Sequence, residues 1–91
     1  MQLEIVTPEE VILDQDVQSV SVPGIEGEFQ ILDNHAPIVS VLTQGIIKLD
    51  ANTILPKAAE NAFQKQKGKL CMKISGGVIE MNNNKVIVLT D

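Results

Sequence analysis

The chain has 91 residues, and its net charge of −5 sets 12 acidic groups against seven lysines and no arginine. A chain of this length supports a single domain, residues 1–91, near the size where one core becomes marginal, while 44% hydrophobic residues exclude disorder. Without arginine there is no bidentate phosphate clamp, and with only two Phe and no Trp or Tyr there is no stacking surface for bases or sugars, so nucleic acid is excluded as a partner.

In chain order, Leu3 and Ile5 alternate with Gln2 and Glu4 as a strand does. Thr7-Pro8-Glu9-Glu10 breaks the run, Val11-Ile12-Leu13 begins a second strand, and Asp14-Gln15-Asp16 is expected to turn the chain. Val20 and Val22 alternate with Ser19 and Ser21 until Pro23-Gly24 stops them. Phe29 and Ile31 alternate with Glu28 and Gln30, and Asp33-Asn34 follows as a turn pair tolerant of left-handed backbone. Ile38 to Leu42 is apolar except for Ser40, which predicts a strand covered on both faces; Gly45 then precedes Ile46 to Leu49.

The segment Asp50 to Gly68 reads differently. With Pro56 at the first helical position, Leu55, Ala59, Ala62, Phe63 and Gln66 share one face, which predicts a short helix. Beyond it, Leu70, Met72 and Ile74 alternate with Cys71 and Lys73, and Gly76-Gly77 predicts a bulge or tight turn. Val78 to Met81, Asn82-Asn83-Asn84 and Lys85 to Leu89 make a final hairpin. Short strands at roughly 8–12-residue spacing predict an all-β sandwich or barrel.

Charge is unevenly spread: residues 1–33 carry eight acids and no lysine, and five lysines fall between Lys57 and Lys73. The run Lys65-Gln66-Lys67-Gly68-Lys69 lacks arginine and aromatics and reads as a solvated loop. The lone Cys71 has no intramolecular disulfide partner and is expected to act as a small hydrophobe. No apolar run approaches the ~18 residues of a membrane span, and the start of the chain lacks the pattern of a signal or transit peptide. The expectation is a protein kept in a bacterial-type cytoplasm without membrane insertion.

Glu26-Gly27-Glu28 lies in an open glycine turn, which does not separate two carboxylate pKa values or converge ligands on a metal, so a partner-facing acidic turn is favoured over catalysis. One histidine, His35, and one cysteine cannot build an ordinary zinc site. Asp33, His35 and Ser40 are close in sequence but lack a nucleophile elbow. Ser75-Gly76-Gly77 lacks the lysine and helix N-terminus of a phosphate cradle. No cofactor is expected.

Taken in order, Ile5-Val6-Thr7-Pro8-Glu9, Pro23-Gly24, Glu26-Gly27-Glu28-Phe29, His35-Ala36-Pro37, Gly45-Ile46, Ser75-Gly76-Gly77 and Val86 to Asp91 resemble the epsilon subunit of the rotary proton-translocating ATP synthase. The resemblance implies a flattened ten-stranded β-sandwich and a non-catalytic central-stalk role that links the gamma subunit to the polar loops of the membrane rotor ring. It implies that Glu28 faces the ring, with Asp33, Asn34 and His35 at the same end, and that Thr7, Ile38 and Ser40 lie toward the stalk subunit. It further implies a peripheral position on the cytoplasmic face of the bacterial inner membrane. The chain departs from the family in stopping at Asp91, where a two-helix domain usually begins, so nucleotide binding and inhibition are not expected; residues 50–68 read as a family-atypical insertion. The alternatives are an unrelated β-sandwich protein-binding module, and a small hydrolase centred on His35.

Overall fold

A computed structural model describes Met1–Asp91. Ten strands carry nearly all of the regular structure: β1 (Gln2–Val6), β2 (Val11–Asp16), β3 (Ser19–Gly24), β4 (Gly27–Leu32), β5 (Ile38–Leu42), β6 (Gly45–Asp50), β7 (Gln64–Gln66), β8 (Lys69–Ile74), β9 (Gly77–Asn82) and β10 (Lys85–Thr90). One helical turn, α1 (Lys57–Glu60), lies between β6 and β7.

The strands pair in the order β2-β1-β10-β9-β5-β3-β6-β8-β7, with β4 on the other side of β3. The path is thinnest between β5 and β3, where Gly24 opposite Leu42 is the one registered pair. On either side of that corner the sheet folds into two layers, β2-β1-β10-β9-β5 and β4-β3-β6-β8-β7. The predicted sandwich is present. Its core draws on both layers: Leu3, Ile5, Ile79, Met81, Val86 and Val88 from the first, and Val20, Val22, Ile31, Ile47 and Leu49 from the second, each at most 1% exposed. Burying each such side chain stabilises the fold by about 1.5–3 kcal/mol, which is how a core nearly devoid of aromatic residues suffices.

Register fixes the two ends of the sandwich. One end carries the β1–β2 turn at Thr7–Glu10, the two-residue β3–β4 turn at Ile25-Glu26, and the Ser75-Gly76 link; the other carries the loop after β4 and the Asn83-Asn84 turn. Asn34, Asn83 and Asn84 have left-handed φ values of 63°, 51° and 58°, the conformation their short polar side chains tolerate best. At Gly77 a side chain is excluded because a Cβ would run into the carbonyl oxygen of Leu89 on the paired strand.

Four expectations need correction. Residues Asp14–Asp16 continue β2 rather than turning the chain, because Leu3, Glu4 and Gln2 of β1 offer them ladder partners. The helix stops after one turn: Ala59 and Phe63 are buried as its apolar face requires, but Gln66 belongs to β7, which pairs with β8. The lysine run is therefore an edge hairpin turning at Lys67-Gly68, not a loop. Cys71, by contrast, lies where the alternation placed it: Met72 and Ile74 take the inward positions, leaving the thiol half-buried on the outer face of the second layer.

Candidate functional site

The fourth correction is the most consequential, since β5 is open on one face. Ile38 and Leu42 turn inward, while Val39 and Val41 are 73% and 53% exposed. Val41 pairs with Val78, Val78 with Leu89, Leu89 with Val6, and Val6 with Val11. An unbroken apolar row thus crosses β5, β9, β10, β1 and β2 on the outer face of the first layer. Four strand spacings make it about 19 Å long. Val78 is 39%, Leu89 52% and Val11 50% exposed, while Val6 is half-buried between its neighbours. Single exposed apolar side chains are ordinary, but a continuous line of them marks a surface meant to be covered.

The residues singled out in the sequence surround this face unevenly. Thr7 closes the β1–β2 turn at one end of the row, its amide donating to the Glu10 carbonyl at 2.9 Å and its hydroxyl accepting from the Glu10 amide at 3.2 Å. Together with Val6, Pro8, Gly77 and Leu89 it lines a shallow cavity of about 550 Å³. Ile38 and Ser40 take the opposite side of β5: Ile38 packs on the core, and Ser40 lines a recess with Phe29, Glu28 and the Ile25-Glu26 turn. Sequence reasoning singled out Ile38 and Ser40; the side chains exposed on this face are Val39, Val41, Val78 and Leu89. The alternation around Ser40 pointed the other way, since a polar residue between two valines reads as the outward position, whereas here the valines are the exposed ones.

Glu28 and the Asp33–His35 loop do not lie at one end. They bracket β4, Glu28 opposite Pro23 near the acidic turn and Asp33 beyond Leu32, about 17 Å apart along the strand. Glu28 is engaged within the chain, its carboxylate 2.8 Å from Nζ of Lys48 on β6, and this partner holds the Lys48 ammonium above its ordinary pKa. Glu26, at the tip of the turn, makes no ion pair.

At the other end, Asp33 accepts from the Met1 ammonium at 2.7 Å and from Asn84 Nδ2 at 3.1 Å; these two donors pull its pKa below the ordinary carboxylate value. The ammonium also donates to the Val17 carbonyl, and its own pKa is raised, chiefly by Asp33. The Asn34 amide donates to Asn84 Oδ1 at 2.7 Å, and His35 Nδ1 donates to the Ala36 carbonyl at 2.7 Å. Ser40 Oγ reaches only its neighbour's carbonyl, that of Val41. With Asp33, His35 and Ser40 each committed to other partners, no proton relay connects them, and the geometry is not that of a hydrolase.

What the arrangement defines is a β-sandwich docking module: an open apolar sheet face, an acidic hairpin, and no assembled catalytic group. A family model described as the ATP synthase Delta/Epsilon chain, beta-sandwich domain, matches residues 1–91. The ATP synthase epsilon chain of Chlorobium limicola is 37% identical over 90 residues, covering 99% of this chain and 88% of the relative. That of Campylobacter concisus is 37% identical over 91 residues, covering all of this chain and 60% of the relative. In the Euglena gracilis mitochondrial ATP synthase structure, a chain with 26% identity superposes at a TM-score of 0.71 over 97% of this chain and 48% of its own length. A chain of the Tetrahymena thermophila central stalk and c-ring structure, at 16% identity, shares the fold at a TM-score of 0.74 over 99% of this chain and 62% of its own. The chain belongs to the epsilon-chain family of ATP synthases. It is a non-catalytic, rotor-linking component of that membrane-associated machine.

Proposed function

We propose that the outer face of the first layer seats the gamma subunit of the central stalk, and that the acidic β3–β4 hairpin faces the polar loops of the membrane rotor ring. In this reading the sandwich is a rigid clamp that carries torque between the two during proton-driven ATP synthesis, as a peripheral subunit on the cytoplasmic face of the bacterial inner membrane. The observation that carries it is the apolar row Val41–Val78–Leu89–Val6–Val11, whose exposure is explained once a partner covers it. Thr7 borders that seat directly, whereas Ser40 and Ile38 support it from the inner side of β5. Residues 1–91 act as one module, and residues 50–68, with their single helical turn and edge hairpin, are an addition that closes one side of the core.

Calorimetric titration of this chain with the recombinant gamma subunit tests the proposal. One-to-one binding that is lost in Leu89→Glu while the variant keeps the far-ultraviolet dichroism of the parent supports the seat. Binding that is indifferent to Leu89→Glu and Val41→Glu moves the interface elsewhere.

A further inference from the structure

The apolar row has a neighbour. Two residues along β5, β9, β10 and β1, about 7 Å away, and three along the bulged β2, the same outer face carries Val39, Glu80, Ile87, Glu4 and Asp14, each registered with the next. Three of these five are carboxylates, and none forms an ion pair within the chain; Asp14 accepts a hydrogen bond only from the neutral amide of Gln2. In the following row Lys85 is exposed and outside ion-pair distance of all three, and the Met1 ammonium is held by Asp16 and Asp33. The face is therefore striped, with an apolar line flanked by an anionic one, and the exposed Glu9, Glu10 and Asp91 stand beyond the other edge of the apolar line.

Resting on the reading that this face seats the stalk subunit, we infer that the segment of gamma lying on it presents an apolar ridge bordered by lysine or arginine side chains, which pair with Glu80, Glu4 and Asp14. Like charges left uncompensated beneath a covering partner would oppose docking, whereas a basic border turns them into attraction. Glu80 and Glu4 are separated by two strand spacings, about 10 Å, and Glu4 and Asp14 by one, about 5 Å, so the matching cations need an unequal spacing.

The test is the salt dependence of gamma binding, measured by calorimetry at about 0.05 M and about 0.5 M sodium chloride, where screening lengths differ several-fold. The wild-type chain binds more weakly at high salt, and the triple variant Glu4→Gln, Asp14→Asn, Glu80→Gln weakens binding about tenfold at low salt and flattens the salt dependence. The single variant Glu80→Gln, at the most exposed carboxylate position of the sheet centre, gives the same trend on a smaller scale if the triple variant is unstable. If Leu89→Glu abolishes binding while the triple variant keeps both wild-type affinity and salt slope, the basic border is refuted and the seat survives. Should neither change matter, the seat itself is wrong and the inference falls with it.

Discussion

The carboxylate of Glu28 and the ammonium of Lys48 meet at 2.8 Å across the outer face of the second layer, reaching over β3 from β4 to β6. This pairing changes what the acidic hairpin offers a partner. A cation approaching Glu28 also approaches Lys48, whose charge offsets most of the attraction, so the unpaired carboxylate at the hairpin tip is that of Glu26.

Lys48→Met is accordingly expected to lower the melting temperature only slightly, since both side chains remain partly solvated. The sign of the pH effect follows from the raised lysine pKa: the contribution is present throughout the neutral range and is lost as pH rises past the ordinary value of 10.5 through the folded-state value. Thermal melts of parent and variant that converge at high alkalinity, but differ at neutral pH, check it.

Asp33→Asn behaves in the opposite sense. The Asp33 pKa is depressed by the Met1 ammonium and Asn84, so its contribution is present above the ordinary value of 3.8 and disappears as pH falls through the lower folded-state value. The ammonium, raised above 8.0, loses its share as pH rises through its own folded-state value. Urea midpoints of wild type and variant should differ between those limits and coincide in strong acid.

Gly77→Ala is expected to be far more damaging than its size suggests, because the added Cβ collides with the Leu89 carbonyl and must push β9 and β10 apart. A loss of several kcal/mol, beyond the ~1 kcal/mol typical of point substitutions, is anticipated from chemical denaturation. A stability equal to that of the parent would show that the strand pair can relax around it.

In the core, Ile79→Ala removes a side chain with no solvent exposure and should cost about 2–5 kcal/mol, while Ile79→Val should cost about 0.5–1.5 kcal/mol. Val41→Glu, at 53% exposure, should leave the denaturation midpoint nearly unchanged and weaken gamma binding at least about tenfold. The contrast between the two positions separates folding from docking on the same layer.

The architecture was legible in the sequence because period-two alternation in Leu3-Ile5, Val20-Val22 and Leu70-Met72-Ile74 marks inward positions directly, and because Asp33-Asn34 and Asn82-Asn83-Asn84 carry turn chemistry. The ordered motifs pointed correctly to the epsilon-chain family. What escaped was set by tertiary pairing. The Gln64–Gln66 strand has no apolar pattern and exists because β8 offers it a partner. The helix predicted through Gln66 ends early, since after Phe63 enters the core the chain gains more from that edge pairing than from further turns. Most telling is β5, where an apolar run was read as doubly covered: an apolar side chain left open on a sheet face looks, within one sequence, like one that is buried.

The parallel pairing of β1 with β10 has a consequence for the order in which the molecule can be made. On a ribosome the opening hairpin, β1 and β2, emerges first, yet the strand that completes its inner edge is the last of the ten to be synthesised. Until then Leu3 and Ile5 have neither their ladder partner on that side nor a finished layer to lie in. Non-local pairing of this kind slows folding and leaves apolar strand edges open in the interim. The nascent chain therefore extends from β1 through β9 with its first layer unzipped, and that layer closes only after Lys85–Thr90 clears the exit tunnel.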